Sequence, residues 1–98
     1  MEIKKDLQGT SLAIGLVGRL DTTTAPQLEA EFAASLPGVE ELTIDCKELQ
    51  YVSSAGLRVL LAAQKVMNKQ GSMVLTNVAD AVMEVFEITG FVDILTIE

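Results

Sequence analysis

Leu42-Thr43-Ile44-Asp45-Cys46 leads through Leu49, Tyr51 and Val52 into Ser53-Ser54-Ala55-Gly56-Leu57, after which Leu60, Leu61, Ala63, Val66 and Met67 recur at helical spacing. Alternating apolar and polar positions mark the first five residues as a strand with Leu42, Ile44 and Cys46 on one face. The three-to-four-residue spacing marks the second part as a helix from about Ser54. Two hydroxyl residues therefore sit where strand and loop hand over to a helix N-terminus. Backbone N–H groups in a first helical turn lack intrahelical partners, and the helix dipole favours negative charge there. A serine so placed either caps the helix or carries a phosphate that the same N–H groups would hold. By position alone, the cap is the commoner outcome.

Upstream, Ile3 to Leu7 is a short first strand. Leu12 to Val17 is nearly all apolar, which suits a strand covered on both faces; Gly15 and Gly18 within or beside it suit a close approach or a bulge. Thr24-Ala25-Pro26-Gln27 reads as a capping box, with Thr24 as N-cap and Gln27 reaching back. Leu28, Phe32 and Leu36 form one buried stripe, and Pro37-Gly38 stops that helix. Downstream, the helix after Ser54 carries Arg58, Lys65, Asn68 and Lys69 on its polar side and ends at Gly71. Met73 to Thr76 is a strand. Ala79 to Thr89 is an amphipathic helix with Val82, Val85 and Phe86 inward and Gly90 as C-cap, and Ile94 to Ile97 closes as a last strand. The order is ββαβαβαβ. Strands alternating with helices imply a mainly parallel sheet with right-handed crossovers. The expected fold is one α/β domain over residues 1–98, a four- to five-stranded sheet packed by three helices.

Composition narrows the function. The chain has 98 residues, 49% of them apolar, and a net charge of −7. Seven Lys and Arg without a cluster argue against nucleic acid and against an electrostatic membrane anchor. With no apolar run of membrane-spanning length and no secretory leader pattern, the expectation is a soluble, cytoplasmic protein. The chain has no His and one Cys, so a Ser-His-Asp triad is impossible and a structural zinc site has no ligands. Glycine-rich phosphate loops are missing too. Neither enzyme chemistry nor a cofactor is expected. Cys46 reads as a small buried hydrophobe. Asp21 and Asp45 could converge near Ser54, but Asp is as much a turn and cap residue as a functional one.

Tyr51-Val52-Ser53-Ser54-Ala55-Gly56-Leu57-Arg58-Val59-Leu60 resembles the signature loop of the STAS domain, the anti-sigma-factor antagonist family. Leu16-Val17-Gly18-Arg19-Leu20-Asp21 resembles that family's second strand and acidic turn. Asn77-Val78 followed by Val82 to Phe91 resembles its last core helix. The resemblance implies a phosphorylated hydroxyl two residues before the motif glycine, which here is Ser54. In many relatives an Asp precedes this serine; here Ser53 stands there and competes as acceptor.

By the same resemblance the unmodified protein binds an anti-sigma serine kinase and frees a sigma factor. Phosphorylation of Ser54 reverses this, and a metal-dependent serine phosphatase of the PPM type restores it. The partner surface would comprise Asp21, Thr22, Thr23, Ser53, Ser54, Ala55, Gly56, Leu57 and Arg58, on a monomeric bacterial protein. The rival expectation is a non-signalling STAS accessory subunit of a transport complex, which would have no need of the hydroxyl pair.

Overall fold

Burial alternates along the strands, and that alternation sets the architecture. The computed structural model describes residues 1–98. Strand β1 (Glu2–Gln8) pairs antiparallel with β2 (Ser11–Leu20), which runs parallel to β3 (Glu41–Val52), which runs parallel to β4 (Ser72–Thr76). In β2, Leu12, Ile14 and Leu16 are buried and Ala13 is exposed; in β3, Leu42, Ile44 and Cys46 are buried and Thr43 is exposed. The helices α1 (Ala25–Ser35), α2 (Ser54–Gln70) and α3 (Asp80–Thr89) bury Leu28 and Phe32, Leu57, Leu60 and Met67, and Val82 and Phe86 into the same core. The sheet is thus covered on one face only. The expectation that β2 is covered on both faces is incorrect: its second face is made of Ala13, Gly15 and Val17, small or half-exposed residues that need no second layer.

β3 is longer than its alternation suggests. Beyond Cys46 the buried positions are Leu49 and Val52, a spacing of three instead of two. Gly15 pairs with Asp45 but Val17 pairs with Glu48, and Gly18 pairs with Leu49 but Arg19 with Tyr51. Each step adds one residue to β3, so the strand carries two bulges and its inward face is kept. Gly18, at φ 104°, occupies one of these irregular positions, in a conformation that glycine adopts without strain.

Two other expectations fail locally. Thr24 makes no capping bond to the first turn of α1, and the Gln27 amide donates to the Met1 carbonyl at 3.1 Å instead of reaching back; the capping box is replaced by longer-range contacts. The last strand shrinks to a single parallel bridge, Leu75 to Ile97, because Phe91–Asp93 turns as a 3₁₀ helix and leaves too few extended residues. Gly90, at φ 80°, does end α3 as its spacing predicts. No helix is long and apolar enough to cross a membrane.

The α2–β4 junction is pinned at Gly71. The Ser72 N–H donates to the Glu40 carbonyl at 2.9 Å, and a Cβ at position 71 would overlap that carbonyl's carbon and oxygen. Because the obstacle is backbone, Gly71→Ala should destabilise the protein by about 2–3 kcal/mol, the upper part of the range for overpacking. Urea unfolding measures it; a loss below about 0.5 kcal/mol, the level of an ordinary surface change, would show that the two loops separate freely.

Candidate functional site

The C-terminal ends of β2 and β3 are tied together at one point, and the site is built on that tie. Leu20 is the last residue of β2 and is fully buried. Its carbonyl accepts the Ser53 N–H at 2.8 Å. Two residues into α2, Gly56 lies directly against it: an added Cβ would come within 2.6 Å of Leu20 Cγ and 3.0 Å of the Leu20 carbonyl oxygen. Absence of a side chain at position 56 therefore lets the first turn of α2 sit on the end of β2. The β2–α1 loop, with Asp21, Thr22 and Thr23, starts at the same residue. The loop therefore runs beside the first turn of α2, and its Thr22 lines one cleft with Ala55 and Arg58.

The two serines have different jobs. Ser53 is the N-cap, with extended backbone (φ −92°, ψ 174°), and its Oγ accepts the Gly56 N–H at 3.3 Å. Its carbonyl accepts the Leu57 N–H at 2.9 Å. Ser54 is the first helical residue and is exposed. The capping role open to either serine from sequence thus falls to Ser53, and the Ser54 hydroxyl faces solvent. Ala55 is half-buried, Gly56 and Leu57 are buried, and Arg58 is exposed. Of the nine expected surface residues, Gly56 and Leu57 thus lie beneath the surface as its support.

Asp21 serves its own loop. Its Oδ1 accepts from the Thr23 hydroxyl at 2.7 Å, the Thr23 N–H at 3.0 Å and the Thr24 N–H at 3.1 Å. Thr24 closes the turn by donating its hydroxyl to the Arg19 carbonyl at 2.7 Å and accepting the Asp21 N–H at 2.8 Å. These bonds favour the carboxylate, the Thr23 hydroxyl most of all, and hold Asp21 down at about 2 despite partial desolvation. Its other oxygen lies 3.7 Å from Arg19 Nε, and the Arg19 guanidinium stacks 4.2 Å from the centre of the Tyr51 ring.

Arg19 and Tyr51 were missed as members of the site. The signal for them is the Arg19–Tyr51 pairing, which exists only after two bulges and so is invisible in a regular register. Asp45 does not join the group. It lies mid-strand opposite Gly15, where Asn77 Nδ2 and the Lys47 N–H hold its carboxyl below the usual range. Cys46 is buried, and desolvation pushes its thiol up to about 12, so it stays an unreactive core residue.

Between the loop and the helices runs a cleft of about 280 Å³, lined by Thr22, Pro26, Glu29, Ala55, Arg58 and Val59. The Ser54 turn, the Asp21 loop and this cleft form one continuous face with an exposed hydroxyl and an exposed guanidinium.

Residues 3–96 match the family model described as "Mlab, STAS domain". The chain is 40% identical over 99 residues to the candidate anti-sigma factor antagonist BtrV of Bordetella bronchiseptica, covering 99% of this chain and 85% of that one. It is 31% identical over 87 residues to the anti-sigma-B factor antagonist of Bacillus subtilis, covering 88% and 80%. Its fold matches the phosphorylated form of the Bacillus cell fate determinant SpoIIAA with a TM-score of 0.76 at 18% identity, over 99% of this chain and 91% of that one.

The division between the serines can be measured. Ser53→Ala removes a cap bond and should cost about 1 kcal/mol, within the range for N-cap loss. Ser54→Ala should change stability by less than about 0.5 kcal/mol. Chemical denaturation of both variants checks this; equal losses would show that the cap is shared.

A second test concerns acid. Because Asp21 is held at about 2 against an ordinary 3.8, the stability it contributes is fully present above about pH 4 and is lost as pH falls toward 2. Asn at position 21 still accepts from the Thr23 and Thr24 N–H groups but has no charge to lose. Melting temperatures of Asp21→Asn should therefore decline less between pH 4 and 2 than those of the parent. Parallel curves would show that other carboxylates carry the acid response.

Proposed function

This chain belongs to the STAS domain, anti-sigma-factor antagonist family, and we propose that it works as a phosphorylation-controlled partner switch whose acceptor is Ser54. The observation that carries the proposal is the split between the serines: Ser53 holds the cap and Ser54 offers a solvent-facing hydroxyl on the first turn of α2. In the unmodified form the face of Thr22, Thr23, Ser54, Ala55 and Arg58 binds an anti-sigma serine kinase and so frees a sigma factor. Asp21 shapes that face through its loop and adds its charge to it. The names of the two curated relatives given above support this role, and binding rather than catalysis is the activity proposed. The protein acts in the cytoplasm, where kinase and sigma factor reside.

The switching step is a phosphoryl transfer. Ser54 Oγ forms a bond to the γ-phosphorus of a nucleoside triphosphate, the bond to the diphosphate breaks, and the hydroxyl proton leaves to a base on the kinase. Phosphorylation adds about −1.5 to −2 charges at neutral pH. At a helix N-terminus this charge is stabilising, by about 0.3–1 kcal/mol for a simple anion, so the fold survives. On a docked face beside Asp21 it repels and must be desolvated, so binding weakens. A metal-dependent serine phosphatase returns the hydroxyl. The alternative, a non-signalling accessory subunit of a transport complex, uses the same face without phosphate turnover.

Tandem mass spectrometry of kinase-treated protein should place one phosphate on Ser54; phosphate on Ser53 alone would overturn the assignment, and its absence from both would favour the accessory role. Ser54→Asp should keep the parent's melting temperature within a few degrees while weakening kinase binding at least tenfold. Binding at parental strength would remove charge as the basis of the switch.

A further inference from the structure

Arg58 stands out on this face because its charge is unused. Lys4, Lys5 and Arg19 have carboxylate partners, Glu48, Glu31 and Asp21 respectively. Arg58 is exposed and has none, although it lines the same cleft as Glu29 on α1; Lys47, Lys65 and Lys69 also lack partners but do not line this cleft. It is the only cation in the first two turns of α2; the next, Lys65, is seven residues further along, about 10 Å at helical rise. Arg58 follows Ser54 by four residues in the same continuous helix. Positions i and i+4 place their Cβ atoms about 5–6 Å apart on one face, and an acidic group N-terminal to a basic one is the favourable order. A guanidinium can donate two parallel N–H bonds to phosphate oxygens.

We infer that Arg58 is the intramolecular partner of a phosphate on Ser54, so that modification both adds negative charge and withdraws this guanidinium from the binding face. The inference rests on Ser54 being the acceptor and adds to it a second half of the switch. Unmodified, Arg58 offers a free cation to a docking partner. Modified, the same group is turned back along its own helix and neutralises part of the phosphate. Two carboxylates oppose the pairing from neighbouring elements, Glu29 across the cleft and Asp21 in the β2–α1 loop. Asp21 is already engaged by Thr23, Thr24 and Arg19, which leaves Glu29 as the competitor for Arg58.

The test uses full-length protein carrying phosphoserine at 54 installed during translation, so that no kinase is needed. Phosphorus NMR titration reads the second ionisation of that phosphate in the parent, Arg58→Gln and Arg58→Lys. Pairing lowers the phosphate pKa, so Arg58→Gln should raise it by a few tenths of a unit, as an exposed i, i+4 ion pair converts. Arg58→Lys should restore most of the shift, and added salt should shrink it in the parent and in Arg58→Lys but not create one in Arg58→Gln. Identical titrations in the parent and Arg58→Gln, with both folded by circular dichroism, would overturn the inference. The switch is read separately, as the affinity of the anti-sigma kinase for unmodified and phosphoserine-54 protein. Equal affinities there would overturn the function proposed above, whatever the phosphorus titration shows.

Discussion

Everything at the candidate site depends on how closely α2 can approach the end of β2. The Leu20 carbonyl takes the Ser53 N–H, and Gly56 lies on the Leu20 side chain with no room for a Cβ. This contact fixes the start of α2 over the end of β2 and, through the chain that leaves Leu20, sets the β2–α1 loop alongside. A bulkier residue at position 56 would lift the helix from the sheet and separate the two segments. The glycine is thus needed for proximity; its backbone is ordinary helix.

With the helix start fixed, ordinary capping rules divide the labour between neighbouring hydroxyls. The cap position needs extended backbone, and Ser53 has it; the next residue is helical and exposed. Ser54 is therefore available to chemistry because Ser53 is not. The same economy applies to Asp21, whose carboxylate holds the loop that frames the face. A charge engaged by several internal donors is less free to bind a partner, so in the proposed switch recognition rests more on Ser54, Arg58 and the cleft beside them.

The one-sided sheet explains why such a small chain can present a face at all. Three helices on one side of four strands bury a single core, and the bulges in β3 keep Leu49 and Val52 in it while carrying the strand as far as Ser53. Without the first bulge Leu49, three residues beyond Cys46, would point away from the core, and without the second Val52 would follow Leu49 out of phase. The outer face of the sheet holds Lys4 with Glu48 and Asp45 with Asn77, exposed pairs of little energetic weight.

Much of this was legible in the sequence. Helical and strand periodicity placed α1, α2, α3 and the regular half of β3, because hydrophobic spacing is imposed by local geometry. The serine pair pointed to the helix N-terminus for the same reason, while the choice of Ser54 and the motif glycine came from the family resemblance. Tertiary structure alone decided the rest. The three-residue spacing after Cys46 reads as loop until β2 supplies a register. The Thr24 capping box is lost because the Arg19 carbonyl and the Asp21 N–H offer the hydroxyl partners that local rules do not foresee. The last strand yields to a 3₁₀ turn that only packing selects. Asp45 and Asp21 part because strand ends and strand middles are distinguished by pairing, not by composition. Each of these outcomes is a choice between nearly equal local conformations, and non-local contacts at Leu20, Glu40 and Leu75 settle them.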